Sequence, residues 1–326
     1  MTLSLICPTP PTTLRAAVAF GRFAHAAGVR RMWTGQSLHI ESHLALAAVA
    51  ARVPGLALGT SVALTPLRHP YQAAVEARSL SALTGAPYVA GYGPGARDLQ
   101  SALMPTPYPK PLRAVGEYVS VMRRLLDGGT VDHQGEHHTT RLRLAPMAAP
   151  PVEIGLGVLR PGMARLAGRV ADVALTWLAP PGYLEGTLIP AMTTAAQAHR
   201  RRPPRVAAVV HAAVRRPGRD PVTAAHAALG AHVAAPHYTD MLHRAGVPTD
   251  PRDPLQGARL LVEHGVFLTG TATQISQHIA HYEELGVDEV VLSTAGVLLA
   301  HGAEAALHDA RDILSAHAEQ AAETPV

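Results

Sequence analysis

Short apolar runs alternate along the chain with longer stretches in which apolar residues return every three or four positions. A run at 3–7 ends in Pro8-Thr9-Pro10-Pro11, and a helical pattern carried by Leu14, Val18, Phe20 and Phe23 then closes at Gly28. The same order recurs, with strands at 30–34, 56–62 and 88–91 and helices at 44–51, 71–83 and 115–126. It resumes with strands at 152–156, 173–177, 206–214 and 289–292, and helices at 162–170, 183–201, 272–285 and 304–318. About eight strand-helix units predict an α/β protein with one domain over 1–326, a single (β/α)8 TIM barrel rather than an open sheet. No tandem repeat of fixed period appears.

Two stretches break this alternation. Residues 129–144 form a polar, histidine-rich excursion, and 215–267 is long enough to hold helices outside the barrel. Connections of that length in compact domains usually serve as lids or binding elements, so 215–267 is read as a helical insertion or lid.

Composition narrows the functional classes. Hydrophobic residues make up 48% of the chain and charged residues 16%, ample for a core and far from a disordered composition. The net charge is +4, and Lys110 is the only lysine among the cations. The one dense basic run, Arg200-Arg201-Arg202 with Arg205, flanks Pro203-Pro204, and three Phe and two Trp cannot supply the aromatics that a nucleic-acid surface interleaves with its charges. A modest positive potential instead favours an anionic small molecule or cofactor. Cys7 is the only cysteine, which excludes an internal disulfide. The start lacks a basic leader, and no apolar run reaches the roughly 18 residues of a spanning helix, so a cytoplasmic protein with no membrane partner is expected.

Several segments carry candidate chemistry. Gly91-Tyr92-Gly93-Pro94-Gly95 follows the fourth strand, where glycines allow backbone to approach a ring or phosphate, although a tight turn uses the same residues. Gly155 to Met163 joins a strand to a helix, and Pro161 suits the first helical turn, whose free N–H groups can receive a phosphate. His133-Gln134-Gly135-Glu136-His137 has a zinc-peptidase spacing, but Gly135 and Thr139-Thr140 oppose the helix those ligands need. No metal site is therefore assigned, and these histidines, with His226, His232, His237 and His243, are read as solvent-exposed. His39 and His43 flank Glu41 after the second strand, where a histidine can poise a proton. Cys7, ending the first strand, suits packing better than nucleophilic attack.

Taken in order, Gly28-Val29-Arg30-Arg31-Met32-Trp33, Leu58-Gly59-Thr60-Ser61-Val62-Ala63-Leu64, Arg68-His69-Pro70, 152–156, Ala167-Gly168-Arg169-Val170-Ala171-Asp172, Thr269-Gly270-Thr271-Ala272 and 285–292 resemble the luciferase-like monooxygenase superfamily, in particular its branch dependent on the deazaflavin coenzyme F420. The resemblance covers nearly the whole chain. It implies a cis peptide at Ser61–Val62 behind the cofactor ring and a variable hairpin at 129–144. It also implies cofactor contacts from Cys7, Gln36, Ser61, Val62, Leu64, Gly91, Gly93 and Gly95. The phosphate turn would comprise Gly157, Val158, Leu159, Arg160, Pro161, Gly162 and Met163, with Arg160 adding charge. Relatives often pair as homodimers through barrel helices.

The chain departs from this pattern where F420-dependent alcohol and sugar-phosphate dehydrogenases place an Asp-His pair and a Glu: it has Gly35-Gln36 and Ala96. Gly85-Ala86-Pro87 likewise replaces the usual Gly-Arg-Phe. Without that acid and base, alcohol oxidation loses its machinery, whereas hydride delivery to an electron-poor C=C or C=N needs only a proton from water or a neighbour, for which His39 and Tyr92 are the candidates. The expected function is an F420H2-dependent reductase acting on a natural-product intermediate, for instance a dehydroamino acid in a modified peptide. An FMN-dependent monooxygenase and a non-catalytic flavin-binding protein are the alternatives. The Gly-Thr-Ser-Val strand and the proline-containing turn favour the deazaflavin.

Overall fold

The computed structural model describes residues 2–323. Its eight barrel strands are β1 (Thr2–Ile6), β2 (Arg31–Thr34), β3 (Ala57–Thr60), β4 (Tyr88–Gly93), β5 (Val152–Val158), β6 (Val173–Trp177), β7 (Arg205–Val214) and β8 (Glu289–Ser293). All pair in parallel in chain order. Leu3 opposite Val290 closes the ring between β8 and β1. The predicted barrel is therefore present, with strand ends shifted by one or two residues.

Strand parity separates two cores. Ile6, Trp33, Val89, Val173, Leu175, Ala207, Val209 and Val291 meet inside the barrel. Leu3, Leu5, Met32, Leu58, Tyr88, Leu156 and Val210 face the surrounding helices. Glycine on β3 to β5 makes the interior fit: a Cβ on Gly59 would lie 2.6 Å from the Trp33 ring, and one on Gly91 would overlap the Thr60 carbonyl and Leu175. The interior is filled by these large neighbours, as the layered packing of small barrels requires.

A charged cluster closes the N-terminal end of the barrel. Arg31 donates to the carbonyls of Leu58 and Pro87 and lies 3.7 Å from Glu289 and 3.8 Å from Glu153. Glu289 also accepts the Trp33 indole N–H at 2.8 Å, and Arg205 donates to Glu153 at 2.8 Å. Each buried charge thus has an opposite partner.

Helix starts follow the prolines. Pro70–Thr84, Pro111–Leu126, Pro161–Val170, Pro221–Val233, Pro236–Arg244 and Pro254–Glu263 all open on one, where the missing N–H costs no helical bond. The helix predicted over 183–201 is broken. A π-turn at Leu184–Leu188 precedes Ile189–Ala198, and the chain leaves the helix as Arg200 takes φ 54° before the prolines. The short helices Arg97–Leu103 and Ala295–His301 lie where no helical period was read.

Segment 129–144 contains an antiparallel hairpin, Val131–Gln134 with Thr139–Leu142. Its turn is held by Glu117, which accepts the backbone N–H groups of Glu136, His137 and His138. Segment 215–267 contains the three helices from Pro221, Pro236 and Pro254. The short strand Phe267–Gly270 then pairs with the end of β7, which extends past its barrel neighbours. Among the described residues no helix is long and apolar enough to cross a membrane.

Candidate active site at the barrel mouth

The C-terminal ends of β2 to β5 present glycine to the barrel axis. The Ser61–Val62 peptide is cis, and Val62 projects between Gly93 and Gly157, where added Cβ atoms would lie 3.1 and 3.3 Å from its methyl groups. Ala63–Leu64 then pairs with Tyr92 and Gly93, fixing the bulge to β4. Gln100, 3% exposed, donates to the carbonyls of Pro94 and Gly95 at 3.0 Å and accepts the Tyr108 N–H, which pins the glycine loop. Gly95 turns that loop at φ 71°. Gly91 lies deeper: the space its missing side chain leaves is filled by Leu175, so it shapes the core below the mouth rather than the mouth itself.

Gln36 follows β2. Its amide N–H donates to the Ser37 carbonyl at 3.1 Å, and its buried Oε1 has no partner among the described residues. His39 is exposed on the adjoining loop. The Cys7 thiol is pushed up to about 12 by burial, offset in part by a backbone hydrogen bond at Thr9, and stays protonated.

Tyr92 is displaced from the role the sequence suggested. Alternation along β4 sends Gly91 and Gly93 inward and Tyr92 outward, where it is fully buried against Tyr118 with ring centroids 5.3 Å apart. Burial raises its hydroxyl pKa well above the ordinary value, and it faces the helical layer instead of the mouth.

The strand-helix turn after β5 is only partly open. Val158 packs in the outer core, with Leu159 and Met163 against it. Pro161 begins the helix, so Gly162 and Met163 supply its first N–H groups. Arg160 is already engaged: it pairs with Asp240 at 2.8 Å and donates to the His237 carbonyl at 3.3 Å. Its charge links this turn to the helix Pro236–Arg244 rather than standing free.

The other half of the mouth is aromatic, and sequence reasoning missed it. Trp177 ends β6 and His211 lies on β7, two positions beyond the inward Val209. Their rings meet edge to face at 4.8 Å; His232 lies 5.3 Å from Trp177, and Tyr238 5.1 Å from His232. The indole N–H of Trp177 and both nitrogens of His211 are buried without partners among the described residues. Burial, reinforced by His232, brings His211 down to about 3, and burial brings His232 down to about 4, so both rings are neutral at physiological pH. The period-two inward register of Ala207, Val209 and His211 was the signal for this position.

His232 and His237 are half-buried rather than solvent-exposed, because helix Pro221–Val233 and the turn into Pro236–Arg244 seat them beside Trp177 and Tyr238. His226 and His243 are exposed. His133, His137 and His138 are also half-buried, His133 against Glu117 and the other two edge-on to Tyr108 and Tyr118, since the hairpin folds back along Pro111–Leu126.

This lining has a small-residue cradle at Gly93 and Gly157, orphaned neutral polar atoms at Gln36, Trp177 and His211, and helix N–H groups at Gly162 and Met163. It fits a flat ring with a polar edge and an anionic tail. A family model for luciferase-like monooxygenases matches residues 1–289, and the chain belongs to that family. It is 30% identical over 166 residues to a 4-hydroxyprotoasukamycin monooxygenase of Streptomyces nodosus subsp. asukaensis, an alignment covering 47% of this chain and 44% of that protein. It is 32% identical over 154 residues to an F420-dependent glucose-6-phosphate dehydrogenase of Nakamurella multipartita, covering 45% of each. The chain thus spans under half the length of these curated relatives. The F420-dependent tetrahydromethanopterin reductase of Methanopyrus kandleri shares the fold with a TM-score of 0.75 at 18% identity, over 97% of both chains.

Proposed function

We propose that this luciferase-like oxidoreductase is an F420H2-dependent reductase that delivers hydride to an electron-poor C=C or C=N of a natural-product intermediate. A dehydroamino acid in a modified peptide is one such substrate. The observation that carries this reading is a mouth lined by neutral groups, with Gln36 where related dehydrogenases have an acid-base pair and Ala96 where they have a glutamate. Alcohol oxidation needs a base to remove the hydroxyl proton, whereas reduction of an activated double bond does not.

In this reading Val62, backed by Gly93 and Gly157, supports the cofactor ring, Gln36 meets its polar edge, and the N–H groups of Gly162 and Met163 receive the phosphate. When bound, the reduced deazaflavin supplies the hydride. Trp177 and the helices of 215–267 keep water from the acceptor, with that segment serving as a lid, and the final proton comes from water or from His39.

Titration of the protein with oxidised F420 and, separately, with FMN at low salt tests this, followed by fluorescence and absorbance. Preferential saturation by F420 is expected. Preferential binding of FMN, with oxygen consumed on reduction, would establish the second reading, an FMN-dependent monooxygenase, which identity to the protoasukamycin enzyme favours. Binding of neither would overturn both.

A further inference from the structure

We infer that Trp177 and His211, in edge-to-face contact at the barrel mouth, part to form a recess that seats the acceptor's carbonyl group, so that the substrates are compounds whose reducible C=C is conjugated to a neutral carbonyl, such as enones or enamides. The inference rests on the reductase reading and narrows its substrate class. A dehydroamino-acid residue, with its C=C beside a peptide carbonyl, belongs to this class.

Three features converge on it. Both rings face inward on adjacent strands at the end of the barrel that bears the glycine cradle. His211 is 1% exposed, yet among the described residues neither of its nitrogens has a partner, and the Trp177 N–H has none. A buried donor left unpaired costs about 1–3 kcal/mol, and one recess collects two such side chains. The donors are also uncharged. A neutral imidazole carries one N–H on either nitrogen, and the ring chain that runs from it through Trp177 and His232 to Tyr238 contains no cation. Such a recess recognises a neutral oxygen; a phosphate or carboxylate would be desolvated there without a counter-charge.

The chemistry follows from this placement. When bound, the reduced deazaflavin would supply a hydride, with its two electrons, to the β-carbon, forming a C–H bond. The π pair of the C=C shifts toward the carbonyl, whose oxygen becomes an enolate. An N–H of His211 that hydrogen-bonds this oxygen would bind it more strongly as negative charge builds, which is how a fixed dipole lowers a barrier. The α-carbon then takes a proton from water, giving the saturated carbonyl compound, and the hydroxide left would be neutralised by the ring proton that the deazaflavin, oxidised by two electrons, gives up.

Carbon-13 NMR of cyclohex-2-enone labelled at the carbonyl tests the recess without turnover, using the protein alone and saturated with oxidised F420 or FMN. A downfield shift of the bound carbonyl is expected. His211→Phe should abolish it and weaken binding about tenfold, the loss of one net hydrogen bond. His211→Asn, which retains an N–H donor, should keep much of the shift, and thermal melts identify any variant that has not folded. An unshifted carbonyl in the wild type, or the same shift in folded His211→Phe, would overturn the inference. If a cofactor binds but the carbonyl is unshifted, the recess assignment fails and the reductase reading stands. If neither cofactor binds, that reading fails first and the recess falls with it.

Discussion

Arg160 forms an ion pair with Asp240 at 2.8 Å, joining the turn before helix Pro161–Val170 to helix Pro236–Arg244. Asp240 also accepts from Arg244 at 3.0 Å, so one carboxylate holds two guanidinium groups. Both partners of the first pair are more than a third exposed, so it adds no more than about 1 kcal/mol to stability. Its larger effect is on the charge offered to a ligand. Asp240→Asn is expected to leave the melting temperature nearly unchanged and to tighten F420 binding about two- to fivefold at low salt, with the gain fading at high salt. Fluorescence titrations at two ionic strengths check this; weaker binding would mean that the pair organises the turn rather than competing for Arg160.

The inward glycines divide into two roles. Thr60 Oγ1 accepts the Gly91 N–H at 3.0 Å and donates to its carbonyl at 3.1 Å, and a Cβ there would collide with backbone. Gly91→Ala should cost about 2–4 kcal/mol in urea unfolding. At Gly157 the nearest atom to an added Cβ is a Val62 methyl, so Gly157→Ala should fold with a loss under about 1.5 kcal/mol. It should still lower cofactor affinity at least tenfold. Equal effects of the two variants on both measurements would refute the division.

Arg31 is 1% exposed and faces Glu153 and Glu289. Among the described residues, Arg31→Met leaves the buried Glu289 with Arg205 alone and Glu153 with one cation instead of two, and a loss of about 3–5 kcal/mol is expected from urea melts. Arg31→Lys should lose less, because it keeps the charge but not the bonds to the Leu58 and Pro87 carbonyls.

Acid should unfold the protein well above the carboxylate range. Burial holds His211 at about 3, and His138 and His232 at about 4, whereas unfolded histidine titrates near 6.5. A depressed histidine makes the unfolded state the better proton acceptor. Its contribution is therefore fully present above about pH 6.5 and falls as the pH drops toward the folded value. The slope is about 1.4 kcal/mol per pH unit for each of the buried His211 and His232, and solvent screening makes it smaller for His138. His211→Asn should remove one histidine's share of the slope between pH 6 and 5, read from urea midpoints; an unchanged slope would show that solvent reaches the ring.

The barrel was legible because each strand is a compact apolar run bounded by Pro, Gly or charge, and because prolines mark the helix starts. Spacing alone did not settle which way a side chain points. Tyr92 was read from its glycine-rich neighbours, but the strand alternation that places Gly91 and Gly93 inward sends it outward. His211 was hidden within Val-Ala-Ala-Val-Val-His-Ala-Ala-Val, where a lone polar residue resembles a break in the run unless its parity with Val209 is followed. The roles of His232 and His237 depend on where the helices of 215–267 come to rest, a tertiary outcome that no local pattern carries.

The bond from Trp33 to Glu289 spans 256 positions of sequence, and this distance bears on how the protein is made. During synthesis the second strand leaves the ribosome with a cation and an indole N–H whose acidic partner is hundreds of residues away. The early strands cannot bury that centre at low cost until the last one arrives. Ring closure is therefore a late event, and a nascent chain halted before residue 289 leaves the Trp33 indole N–H without its acceptor and Arg31 with Glu153 as its one acidic neighbour among the described residues.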